Sequence, residues 1–309
     1  MDAAFQASCF VGDLIAPLGV GYLLRRTALA RRNFDHMIEG SFVVLFPLLA
    51  IFSFWVLTVD WKLAWLPVFG VLLHIVPGVF SLGFSRRQCF NRADCGSFIL
   101  AGMLSNLLTL GGISVFLLYG EQGFAYVQLT VLFQNVILFL FCFPLARYYA
   151  LDSSAGTVSW AAALFSRNQL TVVGMAVGLL LQYSGLPRPD FCRDLANGLL
   201  HLSAWMTLLP VGHSLDFTEI RQHWVAAAVI AVIKFVLTPL CIYGVASLVI
   251  HDPLMLHSLL ILAAAPTAIN AVLVVRLHDL NIHLVMAAFV FTTTVYLLLV
   301  YPCLYWLLS

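Results

Sequence analysis

Apolar residues gather along this chain into runs long enough to cross a bilayer, joined by short polar links rich in arginine. At about 20 residues per crossing, the pattern predicts ten helices. The first five lie near Phe5–Leu24, Met37–Leu57, Trp61–Phe84, Gly96–Tyr119 and Phe124–Tyr148. The second five lie near Leu170–Tyr183, Leu195–His213, Trp224–Ile250, Leu256–Val275 and Leu284–Leu307. No link is long enough for a separate soluble domain. The longest, 150–169, carries Trp160-Ala161-Ala162-Ala163-Leu164-Phe165, which reads as a short amphipathic helix in the membrane interface.

Two of these helices carry breaks near their middles, at matching positions in the two halves. In the fourth span the interruption covers Ser105-Asn106-Leu107-Leu108-Thr109-Leu110-Gly111-Gly112, with Gly111-Gly112 expected to weaken the helix. In the ninth it covers Ala265-Pro266-Thr267-Ala268-Ile269-Asn270, where Pro266 removes a donor and clashes with the turn before it. Backbone groups left unpaired in hydrocarbon are costly, so such breaks persist only where protein or a watery cavity covers them. Paired interruptions in corresponding halves point to the substrate site of a transporter.

Further correspondences suggest an internal repeat. The run 131–140 with its following Pro144 resembles 290–299 with Pro302, and Pro77 of the third span answers Pro239 of the eighth. Five spans per copy is an odd number, so the second copy enters the membrane inverted. The expected fold is an all-α polytopic membrane protein of ten helices, with the fourth and ninth spans forming a crossover. It divides into a first repeat (1–149), a cytoplasmic linker (150–169) and a second, inverted repeat (170–309).

Composition agrees with that class. The 309 residues are 62% apolar and only 9% charged, against roughly a quarter charged in soluble domains. A net charge of +1 gives no reason to expect nucleic acid as a partner. Asp2 and the lack of Lys or Arg before the first run mark it as a retained span, not a secretory leader. The seven cysteines are scattered without a CxxC pair, so neither a disulfide nor a metal site is expected. Under the ten-span count Arg25, Arg26, Arg31, Arg32, Arg86, Arg87, Arg92, Arg147, Arg167, Arg221 and Arg276 share one side. Lys62, Arg188 and Arg193 take the other, which sets the arginine-rich side in the cytoplasm and both termini outside.

The candidate chemistry sits at the breaks. Opened helices crossing near the midplane present N–H groups and helix starts, which favour a carboxylate or another small anion. Asn106 and Asn270 add side chains that donate and accept, while Thr109, Gly111, Gly112, Pro266 and Thr267 shape the same region. Gln134-Asn135 in the fifth span and Thr292-Thr293-Thr294 in the tenth either line that cavity or bond neighbouring helices. Asp13 and Lys234 are ionisable groups set deep in spans, where they often serve ion or proton coupling. Asp13 suits a titrating carboxylate. Lys234 suits attraction of an anionic substrate, or a bond to backbone freed by Pro239. His74, His201 and His257 are intramembrane, His74 being the coupling candidate; a bond to a neighbouring helix is the competing account. Gly174 and Gly178 read as a close-packing GxxxG. No HExxH, GxSxG or glycine-rich phosphate loop is present, so no enzymatic activity and no cofactor are expected.

These residues resemble the auxin efflux carrier family, which is related to the bile acid/sodium symporters. The fourth-span stretch Asn106…Gly111 followed by Tyr119-Gly120-Glu121-Gln122-Gly123 looks like that family's signature, as do Ala265-Pro266 through Arg276 and Asp279. Pro47 in Phe46-Pro47-Leu48-Leu49, Lys234 with Pro239, Asn168, and Gly212 with Leu215 also fit. The resemblance implies a scaffold of spans one, two, six and seven, and a transport domain of spans three to five and eight to ten. It further implies an elevator-like movement, a homodimer, and Asn106 with the backbone after it as substrate contacts. Ile113, Gln169 and Trp205 depart from it, each standing where the family has proline.

The reading that results is a secondary transporter for a small organic anion, such as a carboxylate or auxin-like compound, with proton coupling, sodium coupling and uniport all open. The short link between the fifth and sixth spans suggests a bacterial inner membrane. Its rivals are a sodium-coupled symporter of the bile-acid type and a membrane receptor or sensor.

Overall fold

The computed structural model describes residues 11–25, 30–87, 91–150, 170–215 and 220–308. The expected interfacial helix at Trp160–Phe165, Asn168, Gln169, the linker beyond Ala150 and the first turns of the first span lie outside the described residues. Among the described residues all regular structure is helical, apart from one isolated antiparallel bridge between Ser105 and Thr267. His36–Trp55, Trp61–Arg87, Leu107–Tyr149, Arg221–Val249 and Ile282–Leu308 are long and apolar enough to cross a membrane. Gly12–Leu24, Leu170–Tyr183 and Pro253–Ala263 are shorter apolar helices. This is an all-α membrane protein.

Proline sets much of the local geometry. A π-helical turn stands two positions before Pro17 (Val11–Ile15), Pro47 (Ser41–Leu45), Pro144 (Leu138–Cys142), Pro239 (Ile233–Leu237) and Pro302 (Tyr296–Val300). A proline ring displaces the carbonyl four residues back and offers it no N–H. Widening the turn relieves the clash: Phe46, Phe143, Thr238 and Tyr301, each just before its proline, donate five residues back instead. Pro144 and Pro302, paired by the sequence, share this geometry. Pro77 and Pro239 do not, since Pro77 lies inside the continuous helix Trp65–Arg87. A further π turn, Leu107–Gly111, has Ile113 at the position the others give to proline.

The chain divides into two compact units. The first comprises Met1–Leu63, Leu108–Gln128 and Phe165–Leu215. In it Leu170–Tyr183 packs on Phe46–Trp55, and Ala16–Leu24 packs on Phe191–Ser214. Glycines permit both approaches. A Cβ at Gly174 would lie 2.4 Å from the Pro47 carbonyl oxygen, and one at Gly178 would lie 2.6 Å from that of Ile51. A Cβ at Gly212 would meet the Leu18 oxygen at 2.2 Å. Phe46, Leu49, Phe116, Phe124 and Leu200 form a core cluster of this unit. Gly120, at φ 62°, turns the chain inside Gly112–Thr130, and Arg188 pairs with the adjoining Glu121 at 2.8 Å.

The second unit comprises Ala64–Leu107, Leu129–Leu164 and Asp216–Ser309. Trp65–Arg87 packs on Arg92–Met103, and Ile220–Val232 packs on Ile282–Val295. The core between them includes Phe98, Leu100, Leu104, Ile230, Ile233, Val274 and Val285. Residues 108–128, grouped by sequence with the third to fifth spans, belong to the first unit. The apolar stretch Leu107–Tyr149 also has an interruption that its sequence does not announce, a turn at 131–133.

The glycine contacts generate a test within the first unit. Gly174→Val forces a side chain against fixed backbone and is expected to destabilise the protein by about 1–3 kcal/mol, lowering the melting temperature in detergent. Gly198 is exposed on Phe191–Ser214, and a Cβ there would have nothing within 4 Å, so it accepts alanine without loss. Equal melting temperatures for the two variants would refute the close packing.

Candidate functional site

The second unit contains a crossing of two broken helices. Each begins with a side-chain cap: the Asn91 side chain accepts from Asp94 N–H at 2.8 Å, and the Asp252 carboxylate accepts from Leu254 N–H at 2.9 Å. The capped helices, Arg92–Met103 and Pro253–Ala263, run 12 and 11 residues before both stop. Leu104 then turns extended (φ −91°, ψ 114°), as does Ala268 (φ −81°, ψ 149°). The chain resumes as helix at Leu107 and at Ile269.

Between stop and restart the two backbones pair antiparallel. Asn106 N–H donates to the Pro266 carbonyl at 2.8 Å, and Ala268 N–H donates to that of Leu104 at 2.9 Å. The Thr267 hydroxyl donates to Ala101 O at 3.0 Å, and its N–H donates to the Thr292 hydroxyl at 3.1 Å. Ser105, Asn106, Thr267 and Thr292 are all buried. Every one of these bonds satisfies a group that the helix breaks would otherwise leave open in an apolar core, where such a group costs about 1–3 kcal/mol.

Lys234 closes the arrangement. It lies in the π turn before Pro239, and its Nζ donates to the Leu104 carbonyl at 3.3 Å and to the Ser105 hydroxyl at 2.7 Å. The backbone it reaches is therefore that freed where Arg92–Met103 ends, not that freed by Pro239. His74 is fully buried on Trp65–Arg87 and donates from Nδ1 to Gly70 O at 2.9 Å. A carbonyl only accepts, so the proton sits on Nδ1 and leaves Nε2 as an acceptor, which has no partner among the described residues.

The crossing thus brings together Asn106, Pro266, Thr267 and Lys234 of the expected site residues. Asn270 sits half-buried in the first turn of Ile269–Leu277, a helix whose N-cap, Ala268, offers no side-chain acceptor. Gln134 and Asn135 are half-buried at the head of Gln134–Ile137, just after the 131–133 turn. Thr109, Gly111 and Gly112 lie in the first unit. Gly111 and Gly112 are buried and helical, and the break is confined to 104–106, at the start of the expected stretch, where pairing with 266–268 holds it. Asp13 also belongs to the first unit, where the His201 Nδ1–H donates to its carboxylate at 2.6 Å. Ser105 falls inside the break expected from sequence but has no role in that expectation; in the fold its side chain is the nearest partner of Lys234. A hydroxyl beside an Asn is an ordinary pair of polar residues until the fold supplies the ammonium.

No group of three or more His, Cys, Asp or Glu side chains able to hold a metal occurs among the described residues. No protein-family model matches the chain, and no curated protein matches it.

The Thr292–Thr267 bond separates two neighbouring threonines. Thr292→Val strands the buried Thr267 N–H and is expected to cost about 1–3 kcal/mol. Thr294, whose hydroxyl bonds the Val290 carbonyl of its own helix at 2.8 Å, accepts valine with a smaller loss. Thermal unfolding of both variants checks the order; an equal or reversed loss contradicts the role given to Thr292.

Proposed function

We propose that the protein is a secondary transporter that moves a small organic anion, such as a carboxylate, across a cell membrane. The observation that carries this reading is the buried antiparallel pairing of 104–106 with 266–268 inside an apolar helical unit. Irregular backbone at membrane depth is characteristic of carrier binding sites, where half-helix starts face the cargo. In this reading the anion meets the start of Ile269–Leu277, with Asn106 and Asn270 fixing its orientation. The positive end of a helix favours the anion without requiring a charged side chain.

The ten-span, inverted-repeat architecture belongs to the same proposal. An in-plane twofold axis sets equivalent segments antiparallel, which is the sense of the Ser105–Thr267 bridge. The matching capped half-helices, and the π turns before Pro144 and Pro302, support the same symmetry. Scaffold and transport groups, elevator movement, homodimer, arginine-rich cytoplasmic face and kinship with auxin efflux carriers complete the reading. Asp13, paired with His201, and His74, beside the crossing, are its candidates for proton coupling.

Purified protein screened for melting temperature against mono- and dicarboxylates tests the proposal, because a ligand of the folded state raises apparent stability by mass action. At least one carboxylate is expected to give a saturable rise. Asn106→Ala is expected to weaken that ligand about tenfold, the loss of one hydrogen bond to a charged group. Unchanged affinity would remove Asn106 from the site, and silence across the panel would count against an anion as cargo.

A further inference from the structure

The end of Arg92–Met103 is a fixed negative pole in an apolar surround. A helix C-terminus carries about half a unit of negative charge and leaves carbonyl oxygens without helical partners. Unwound carbonyls and half-helix C-termini of this kind coordinate the exchangeable sodium ion or proton in carriers with broken helices. Here the Lys234 Nζ stands among them. Lys234 is 1% exposed, Leu104 1% and Ser105 4%, and the Nζ contacts are one main-chain oxygen and one hydroxyl oxygen. No carboxylate among the described residues pairs with Lys234; Glu121 and Asp13, which pair with Arg188 and His201, lie in the first unit.

A lysine buried without an acid is held by what its nitrogen touches. Those contacts are oxygen ligands, the set that a hard monovalent cation also takes. Approach from the π turn Ile233–Leu237 sets the stem across the end of the fourth-span half-helix, so the charge reaches the crossing without leaving its own helix. We propose that Lys234 is the built-in counter-ion of the crossing, a tethered primary ammonium occupying the position of an exchangeable cation. The site in its working form then needs no bound sodium. The consequence for transport, movement of the anion independent of a sodium gradient, rests on the function proposed above; the occupancy of the position by Lys234 does not.

Melting temperatures of the purified full chain in sodium, choline and methylammonium chlorides at equal ionic strength test this without any substrate. The parent protein is expected to melt alike in sodium and choline. Lys234→Ala opens the position and is expected to melt lower in choline, by more than about 3 °C. Methylammonium, which carries the same head group, should restore most of that loss saturably. Choline, with no N–H donor and a bulkier head, should not. A saturable sodium stabilisation of the parent, or a Lys234→Ala protein indifferent to methylammonium, overturns the proposal. Should Lys234→Ala fail to fold, the sodium and choline comparison on the parent decides alone. Because carboxylates are absent from these measurements, a failed carboxylate screen would count against the anion reading and leave this one standing.

Discussion

A backbone that leaves its helix inside an apolar assembly must give its N–H and carbonyl groups to some other partner, and the rest of this structure depends on how that is done. At 104–106 and 266–268 each break supplies the other. Two main-chain bonds, the Thr267 and Thr292 hydroxyls and the Lys234 ammonium satisfy groups that no water molecule need reach. Neither break is stable alone by this account. Pro266 interrupts one helix and offers its carbonyl to Asn106 of the other, so the element that disrupts is also the element that pairs.

This mutual dependence explains which features are legible in the sequence. Pro266 is a chemical instruction that reads locally, and Pro253–Ala263 ends just before it. The break after Arg92–Met103 has no such residue. Gly111-Gly112 stands out because glycine weakens helices, yet both are helical in the fold. The break sits at Leu104, Ser105 and Asn106, at the start of the expected stretch, and is held there by pairing with a partner about 160 positions away in sequence. The turn at 131–133 is equally silent, since Val131, Leu132 and Phe133 are all apolar and none forbids a helix.

Side-chain chemistry shows the same division. The burial of Lys234 and His74 is visible from their place in apolar runs, but their partners are not. Lys234 has Pro239 near it in its own span and is bonded across to Leu104 and Ser105. Asp13 reads as an open titrating carboxylate and is engaged by His201 in the first unit. The glycines at 174 and 178 are the simplest case: a local pattern whose packing consequence, contact with the Pro47 and Ile51 carbonyls, follows directly. Pro47, Pro144, Pro239 and Pro302 behave similarly, since the clash each creates is resolved within its own helix by a widened turn.

Electrostatics joins these parts into one account. The crossing collects two helix ends, and Lys234 bonds the carbonyl at one of them, that of Leu104. The most direct measurement is counterflow in proteoliposomes: vesicles preloaded with an unlabelled carboxylate and diluted into a trace of the same labelled compound. The account predicts transient accumulation of label in vesicles bearing the protein, above that in protein-free vesicles. Binding of the carboxylate with no such exchange would contradict it and leave a receptor.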